Sequence, residues 1–320
     1  MVKNFIVEDL KTRLDKFLSE QLQGVSRSQI QRDVEAGLVM VNGVVQKESK
    51  FVVRKGNAVT YEQKESLNSK FEIQATNTPL TVLYDNQGLL VIDKPAGLTV
   101  HPGAGFKGET LASALLYHFP ACGGNNIQLV GEEGRPGIVH RLDKETSGVI
   151  LVAKTQSMYE YLKDAFFERK VKKEYIALVA GRVEKQFGKI DLPIGKSKTD
   201  FRKHDVKNTI EPKEALTEYR VLEYLEGSGL DQYTLLLVKL HTGRTHQIRV
   251  HMKAIGHPLM GDSLYGGKRA QIPGLFRQFL HARKIEVKLP DGTWIEAESS
   301  IPADLKNVLS KLDSKTYKNL

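Results

Sequence analysis

Cysteine is almost absent from this sequence of 320 residues, with Cys122 as the single example. One cysteine excludes a disulfide within the chain and any zinc site built on cysteine ligands. The sequence also lacks an apolar run approaching the roughly 18 residues of a membrane helix. Its first ten residues, MVKNFIVEDL, carry two acidic residues and no long apolar core, unlike a secretory signal. We therefore expect a protein of the cytoplasm with no membrane association.

Acidic residues are fewer than basic ones, with 38 Asp and Glu against 47 Lys and Arg, which gives a formal net charge of +9. A basic balance favours a polyanionic partner, because each phosphate that a protein neutralises releases counterions. Charge alone leaves nucleic acid open, since many basic proteins bind nothing acidic. The length suits a large domain plus a small one.

Helix signals predict a small domain over residues 1–61. Apolar residues recur at helical spacing between Thr12 and Leu22. A second short helix is predicted from Arg27 to about Ala36, with Ser26 as its N-cap and Gly37 as its stop.

A hairpin signal follows these helices. Asn42-Gly43 separates the strands predicted at Leu38–Val41 and Val44–Val45, and a further strand is predicted at Ala58–Tyr61. Basic residues lie on or beside the helices, where they form either a solvated charged face or a phosphate-binding surface. These residues are Arg13, Lys16, Arg27 and Arg32.

Residues 62–79 are polar and are predicted to be a linker, with one possible strand at Phe71 to Ile73. Residues 80–320 are predicted to form a second domain, in which strands and helices follow each other irregularly. That order indicates an α+β fold with a mixed sheet and flanking helices. The predicted strands are Leu89–Ile92, Val149–Ala153, Tyr175–Val179, Tyr233–Leu240 and Ile285–Leu289. The predicted helices are Thr110–His118, Ser157–Phe167 and Thr245–Ile255.

Polar, charged and small residues crowd the stretch from His140 to Gly148, immediately before a predicted strand. A loop that feeds a core strand is a common place for an active site. The residue types alone leave two readings for Asp143, which either caps a turn or takes part in chemistry.

A second cluster of polar residues runs from Leu240 to His251. Thr245 is predicted to cap a helix here that Gly256 ends. Arg249 on this helix is suited to hold a carboxylate through a bidentate pair. His246 and His251 are five residues apart, which does not match the zinc motif with histidines at i and i+4, so no metal is expected.

Sequence motifs in this order resemble the RluA family of RNA pseudouridine synthases. They read Ile92-Asp93-Lys94-Pro95-Ala96-Gly97-Leu98-Thr99-Val100-His101-Pro102, His140-Arg141-Leu142-Asp143-Lys144-Glu145-Thr146-Ser147-Gly148, Lys173-Glu174-Tyr175-Ile176-Ala177, Thr242 to His251 with Gly261-Asp262 and Tyr265-Gly266, and Leu280-His281-Ala282. The N-terminal segment resembles an S4 RNA-binding domain through Arg13-Leu14-Asp15-Lys16-Phe17-Leu18 and Val41-Asn42-Gly43. With this domain, the branch most similar to the chain is the large-subunit ribosomal RNA pseudouridine synthase D.

The resemblance implies that the chain isomerises uridine to pseudouridine in RNA, with 23S ribosomal RNA as the substrate or, alternatively, transfer RNA. No cofactor is expected, because the base is never released, and the protein is expected to be monomeric. A uridine in a stacked helix is inaccessible, so it must leave the stack. The resemblance also implies an S4-like domain that binds folded RNA through phosphate and shape contacts.

The resemblance implies roles for individual residues as well. Asp143 is expected to attack C1′ or to assist proton removal at the sugar, and Arg249 to keep it charged and oriented. Tyr175 is expected to stack on the flipped base and is a candidate to take the C5 proton. Arg141 is expected to fill the gap left by the uridine. His140 and Thr146 complete the expected substrate-binding set.

Two other classes of protein are weighed beside the synthase. A protein that only binds RNA would have the basic N-terminal surface but would not need Asp143 and Arg249 as a pair. A hydrolase of glycosidic bonds would need a second acid of matching role. Incubation with uridine-containing RNA separates the three, because it yields an isomer, no product or free uracil.

The division into two domains leads to a first testable prediction. Removing the chain up to about residue 75 should leave a folded, active synthase domain with weaker binding to structured RNA. The full chain should lose affinity more steeply with salt, by about 0.7–0.9 unit of log–log slope for each phosphate contact removed. Equal salt slopes for two folded proteins would contradict RNA binding through the basic face, and aggregation would indicate that the small domain covers the large one.

Overall fold

The computed structural model describes residues 2–8, 11–22, 27–62, 73–102, 108–120, 127, 130–132, 135–227 and 231–316. The N-cap predicted at Ser26, most of the possible strand at Phe71 to Ile73, and Cys122 lie outside these residues. The chain separates into two compact units, Met1–Glu72 and Ile73–Leu320.

The first unit combines short strands with two helices in its described residues. In chain order these are β1 (Val2–Ile6), β2 (Lys11–Arg13), α1 (Leu14–Gln21), α2 (Arg27–Glu35), β3 (Val39–Val41), β4 (Val44–Val45), β5 (Val52–Arg54) and β6 (Ala58–Glu62). An antiparallel sheet has the order β1-β6-β3-β4, and β2 pairs with β5. The helices bury apolar side chains against this sheet, in a core that includes Leu14, Leu18, Ile30, Val39 and Val59.

Most of the local predictions for this unit are confirmed. Asn42 and Gly43 have φ angles of 52° and 79°, as a two-residue hairpin turn requires. The first helix begins at Leu14 rather than Thr12, because residues 11–13 pair with β5. Strand β1 was not predicted, and it forms because β6 offers it an open edge over Val2 to Ile6.

The second unit is dominated by strands. In chain order its elements are β7 (Thr81–Asp85), β8 (Leu89–Lys94), α3 (Leu111–His118), β9 (Gly131–Glu132), β10 (Arg135–Pro136), β11 (Ser147–Ala153), α4 (Gln156–Phe167), β12 (Lys172–Ala180), β13 (Phe187–Asp191), β14 (Ile194–Ser197), β15 (His204–Asp205), β16 (Thr209–Lys213), β17 (Leu216–Glu226), β18 (Gln232–Leu240), α5 (Gln247–Ala254), β19 (Leu280–Lys288), β20 (Trp294–Glu298) and α6 (Ala303–Lys311).

A nine-stranded mixed sheet forms the centre of this unit, in the order β13-β17-β18-β12-β19-β11-β8-β7, with β20 paired to β19. The pair β11–β19 is parallel and the other pairs are antiparallel. A small sheet, β15-β14-β16, stands apart from it. The predicted α+β fold with a mixed sheet and flanking helices is confirmed.

The central strands are buried on both faces, which explains their continuous apolar sequences. Leu90 and Ile92 of β8 face one core cluster together with side chains of α3 and α5. Leu89 and Val91 face a second cluster with α4, and α6 packs over a third that includes Ile176 of β12. Helices therefore cover both faces of the sheet.

The prediction that Thr245 caps a helix is wrong. Helix α5 begins at Gln247, and the residue before it, His246, has a left-handed backbone with φ 57° and no capping side-chain bond. The carboxamide oxygen of Gln247 instead accepts from the Arg244 N–H at 2.9 Å and the Thr242 hydroxyl at 2.8 Å. A buried glutamine thus orders the chain at the start of α5.

Part of the predicted linker packs on the second unit. Ile73 contacts its largest core cluster, and the Thr76 N–H donates to Ser113 O at 3.1 Å. A deletion that leaves the second unit intact should therefore end at Glu72 rather than at residue 75. None of the helices in the described residues is long and apolar enough to span a bilayer.

Candidate active site

The loop from His140 to Thr146 leads directly into β11, where its last residues are held by close backbone packing. Gly148 has a φ of 115°, and a Cβ atom at this position would lie 2.1 Å from the Ala282 carbonyl oxygen of β19. Only glycine fits there. The Thr146 N–H donates to Asp143 O at 3.0 Å, which closes a turn at the end of the loop.

Arg249 of α5 is bonded to two carboxylates. Its Nη1 donates to Asp143 Oδ2 at 2.9 Å, while its Nε and Nη2 donate to Asp262 at 2.7 and 2.9 Å. Burial opposes the charge on the guanidinium, but hydrogen bonds and charges from Asp262 and Asp143 raise the pKa of Arg249. Burial likewise opposes the charge on Asp262, but Arg249 and two backbone N–H groups lower the pKa of Asp262. The bidentate contact with Asp262 fixes the plane of the guanidinium that meets Asp143.

Lys94, at the end of β8, binds backbone carbonyl groups of the same loop and of the turn that follows β8. Its side chain is fully buried, and its Nζ donates to the carbonyl oxygens of Pro95, Leu98 and Lys144 at 2.7, 2.9 and 3.2 Å. Burial lowers the pKa of Lys94 to about 7, and the nearby carboxylate of Glu145 acts against that shift. Three carbonyl acceptors match the three N–H donors of an ammonium group.

Arg277, which is 7% exposed, holds the next residues of the loop. Its Nη1 donates to Glu145 O at 3.0 Å and its Nη2 to Ser147 Oγ at 3.3 Å. Asp304 of α6 fixes the guanidinium through contacts of 2.6 and 3.1 Å. Arg249, Lys94 and Arg277 therefore hold positions 143, 144 and 145 of the loop in turn.

His281 supports the point where the loop enters β11. Its Nε2 lies 3.0 Å from Ser299 O, and because a carbonyl only accepts, this nitrogen carries the proton. Its Nδ1 therefore accepts from Ser147 Oγ, 3.0 Å away.

A cavity of about 570 Å³ opens above Asp143. Within the described parts of the chain, Asp143 is the sole carboxylate that lines the cavity, whereas the lining cations are Arg135, Arg141, Arg169, Lys173, Arg244 and Arg249. The Asp143 side chain keeps 17% of its surface exposed, so it is both ion-paired and accessible. Such a cavity suits an anionic molecule that brings a neutral group up to one carboxylate.

Tyr175 of β12 lies in this cavity with only 7% of its surface exposed. The pairing of β12 with β19 shifts register between Glu174 and Tyr175, and bulges of this kind redirect a side chain at a site. Burial, and then the charge of Asp143, raise the pKa of Tyr175, so its phenol stays protonated near neutral pH.

The other expected substrate-binding residues line the cavity in different ways. Arg141 is exposed at its mouth. Thr146 is buried, and its Oγ1 accepts from Gln278 at 3.3 Å. The Nε2 atom of His140 accepts from the Leu151 N–H at 2.8 Å, and burial, followed by the charge of Lys173, lowers the pKa of His140 to about 3. His140 is thus a neutral residue tied to β11, with only its Nδ1 side available to a ligand.

The basic residues of the first unit are arranged differently from the simple face that was expected. Arg13 makes a two-bond pair with the buried Asp15, at 3.0 and 2.8 Å, so much of its charge is compensated. Lys16 is exposed and lies 3.8 Å from Glu20. Arg27 and Arg32 belong to α2, but their side chains lie outside the described part of the chain.

Sequence reasoning assigned no role to Lys94, Lys173, Asp262 or Arg277. Lys94, Lys173 and Asp262 stand inside the quoted motifs, so their positions were visible in the sequence although their roles were not. Arg277 carries no such signal, because its loop partners are 130 and 132 positions away in the chain.

Comparisons with known proteins agree with this geometry. Residues 88–254 match the RNA pseudouridylate synthase family, and residues 12–59 match the S4 domain. An "uncharacterized RNA pseudouridine synthase" of Aquifex aeolicus is 39% identical over 98% of this chain and 97% of its own length. The "ribosomal large subunit pseudouridine synthase D" of Haemophilus ducreyi is 36% identical over 96% and 93%. The solved structure of human "RNA pseudouridylate synthase domain containing 1" has a TM-score of 0.58 at 27% identity, covering 75% of this chain and 97% of that one.

The contacts of Arg249 lead to a second prediction. Arg249→Ala should slow the expected isomerisation by about tenfold or more in single-turnover assays, because Asp143 loses both its counter-charge and its orientation. RNA affinity should change much less. Arg249→Lys should also be slow, because one ammonium group cannot reproduce the guanidinium contacts to both carboxylates. Arg249→Lys retains a positive charge at this buried position, so it remains a usable test if Arg249→Ala does not fold. Arg283→Ala, at an arginine outside the cavity, is the control, and near-normal rates in both Arg249 variants would remove this residue from the site.

Proposed function

The chain belongs to the RNA pseudouridylate synthase family, and we propose that it uses Asp143 to isomerise uridines of large-subunit ribosomal RNA. Isomerisation of uridine to pseudouridine in RNA is the activity of this family. The observation that supports Asp143 most strongly is its position as the sole carboxylate among the described residues that line a cationic cavity, in contact with Arg249 at 2.9 Å.

The reaction breaks the N1–C1′ bond and forms a C5–C1′ bond. The hydrogen leaves C5 and N1 gains a proton, so the atoms balance without a cofactor or an added water. In our proposal Asp143 either attacks C1′ or assists removal of a sugar proton. Arg249 is a positioning residue in both routes, since it acts by holding the carboxylate in place through its contact at 2.9 Å.

We assign Tyr175 to stacking on the flipped uracil rather than to proton removal. A neutral phenol with a raised pKa is a weak proton acceptor near pH 7. Its ring, buried beside Asp143, offers an apolar face of the kind on which extruded bases stack. Arg141, exposed at the mouth of the cavity, is the proposed side chain that enters the gap left by the uridine.

The choice of ribosomal RNA rests on the relatives whose names state a substrate. Synthase D of Haemophilus ducreyi and of Vibrio parahaemolyticus are both 36% identical to this chain over more than nine-tenths of its length. The S4 match at residues 12–59 supports binding to folded RNA by the first unit, with Lys16 as an exposed cation there. We further propose that the protein acts as a monomer in the cytoplasm, which sedimentation and cell fractionation would test.

The assignment of Asp143 is tested with large-subunit rRNA transcribed in vitro and labelled with [5-³H]uridine. Isomerisation displaces the hydrogen on C5, so tritium appears in the solvent. Asp143→Asn should abolish tritium release while leaving RNA affinity within a few-fold, because the carboxylate is one contact among many. Asp191→Asn, at an exposed acid outside the cavity, is the matched control. Appreciable release by Asp143→Asn would contradict the role of Asp143, and release from transfer RNA alone would contradict the ribosomal substrate.

Lys173 leads to a pH prediction. Burial lowers the pKa of Lys173 to about 8, so its ammonium group is charged below about pH 8 and neutral above. The KM for RNA should therefore rise as pH increases from 7 to 9, because a cation that faces phosphate is lost. The neighbouring His140, with its pKa near 3, does not titrate in this range.

Variants separate Lys173 from other titrating groups. Lys173→Met should have a raised KM that depends much less on pH. Lys172→Met should keep the wild-type pH profile, because Lys172 pairs with Glu286 at 2.9 Å outside the cavity. The same profile in both variants would show that Lys173 does not contact RNA.

A further inference from the structure

Phe167, the last residue of α4, is 87% exposed although it lines the cavity. Its neighbour Phe166 packs against His140, with ring centroids 4.7 Å apart. Successive residues of a helix point about 100° apart. The ring of Phe166 therefore forms part of the cavity wall, and the ring of Phe167 is exposed at the cavity mouth.

Exposure alone does not distinguish Phe167, because single exposed apolar residues are normal on protein surfaces. Phe187 and Phe276 are also exposed, at 68% and 98%. Neither of them is among the residues that line the cavity, whereas Phe167 is. Phe167 therefore differs from these two residues because its exposed ring lines the proposed site.

The turn after Phe167 brings an arginine to the same cavity. The N–H groups of Arg169 and Lys170 donate to the carbonyl oxygens of Phe166 and Ala165 at 3.2 and 2.8 Å, the pattern of a Schellman motif. Arg169 has a φ of 61° at the position where glycine is usual. Arg169 therefore occupies a position whose left-handed backbone favours glycine.

The side chain of Arg169 can exchange its present partner. Its Nη2 lies 3.1 Å from Glu214, but the two side chains are 48% and 82% exposed. Exposed ion pairs of this kind contribute little, so a phosphate can replace the carboxylate. The rim around it is cationic as well, with Arg135, Arg141 and Arg244 lining the cavity.

We propose that Phe167 and Arg169 form a subsite for an unpaired nucleotide next to the target uridine. The base of this nucleotide stacks on the exposed face of Phe167, and its phosphate binds Arg169. Sites for single-stranded RNA combine a basic groove with aromatic side chains in this way. The target uracil itself belongs deeper in the cavity, at Tyr175, which is 7% exposed. The inference rests on the proposed function, because it assumes that RNA enters this cavity.

The kinetic test uses the [5-³H]uridine-labelled large-subunit rRNA transcript. Phe167→Ala and Phe167→Leu should raise KM by about fivefold or more, because neither side chain offers a ring on which a base can stack. Phe167→Trp should stay near the wild-type value. Phe187→Ala, at an exposed ring outside the cavity, should also leave KM unchanged. Equal KM values for Phe167→Ala and Phe187→Ala, with active wild-type protein, would overturn the subsite.

A binding test does not depend on which RNA is the substrate. Phe167→Trp and Phe187→Trp each add one tryptophan to the native Trp294, which lies outside the cavity with Lys172 above its ring at 5.2 Å. Addition of a twelve-residue oligouridylate should quench the tryptophan at position 167 and not the one at position 187. Equal responses would overturn the inference. Quenching at position 167 by a protein that is inactive on every uridine-containing RNA would support the subsite and overturn the proposed function.

The role of Arg169 is tested by salt dependence. Arg169→Gln should reduce the log–log slope of oligouridylate affinity against salt by about 0.7, the value for one phosphate contact to a single strand. Arg220→Gln, at an exposed arginine outside the cavity, should keep the wild-type slope. An unchanged slope in Arg169→Gln would exclude phosphate binding by Arg169.

Discussion

The pair formed by Asp143 and Arg249 is the contact around which the polar residues of the cavity are arranged. Burial of a carboxylate is costly unless the carboxylate is paired, yet a carboxylate that contacts a ligand has to stay accessible. The structure meets both needs by sharing one guanidinium between Asp143 and Asp262, which is completely buried. Asp262 accepts two hydrogen bonds from Arg249 and fixes its guanidinium. The third hydrogen bond of the guanidinium, from Nη1, goes to Asp143.

This arrangement extends to the backbone around Asp143. A loop without regular structure has carbonyl groups that no sheet or helix satisfies. Lys94 and Arg277 bind the carbonyl oxygens of Lys144 and Glu145, and both are buried side chains supplied by distant parts of the chain. Asp304 in turn fixes Arg277, which connects α6 to the loop. The loop is therefore held by hydrogen bonds from side chains rather than by backbone pairing with a strand. Its outer face is left open to the cavity.

Much of the fold could be predicted because the relevant signals are local. The buried strands β8, β11, β12 and β18 stand out as apolar runs, and Asn42-Gly43 specifies its hairpin. Predictions failed where local signals were weak. Strands β13 and β17 were missed because polar residues alternate along them and many of their side chains remain partly or fully exposed. Thr245 was the best local cap, but α5 begins at Gln247 without a capping side chain, and the amide of Gln247 is instead bound to Leu216 and Thr217 of a neighbouring strand.

The sequence by itself determined the family, the α+β class and the identity of the central pair, since five motifs in order carry Asp143, Tyr175 and Arg249. It could not reveal what makes that pair work. Asp262, Lys94 and Arg277 act through contacts between elements 13 to 132 positions apart, and such contacts follow from the order of strands in the sheet rather than from any spacing. Exposure is also a tertiary property. Adjacent phenylalanines, Phe166 and Phe167, look equivalent in the sequence, but in the structure Phe166 is partly buried against His140 and Phe167 is exposed at the mouth of the cavity.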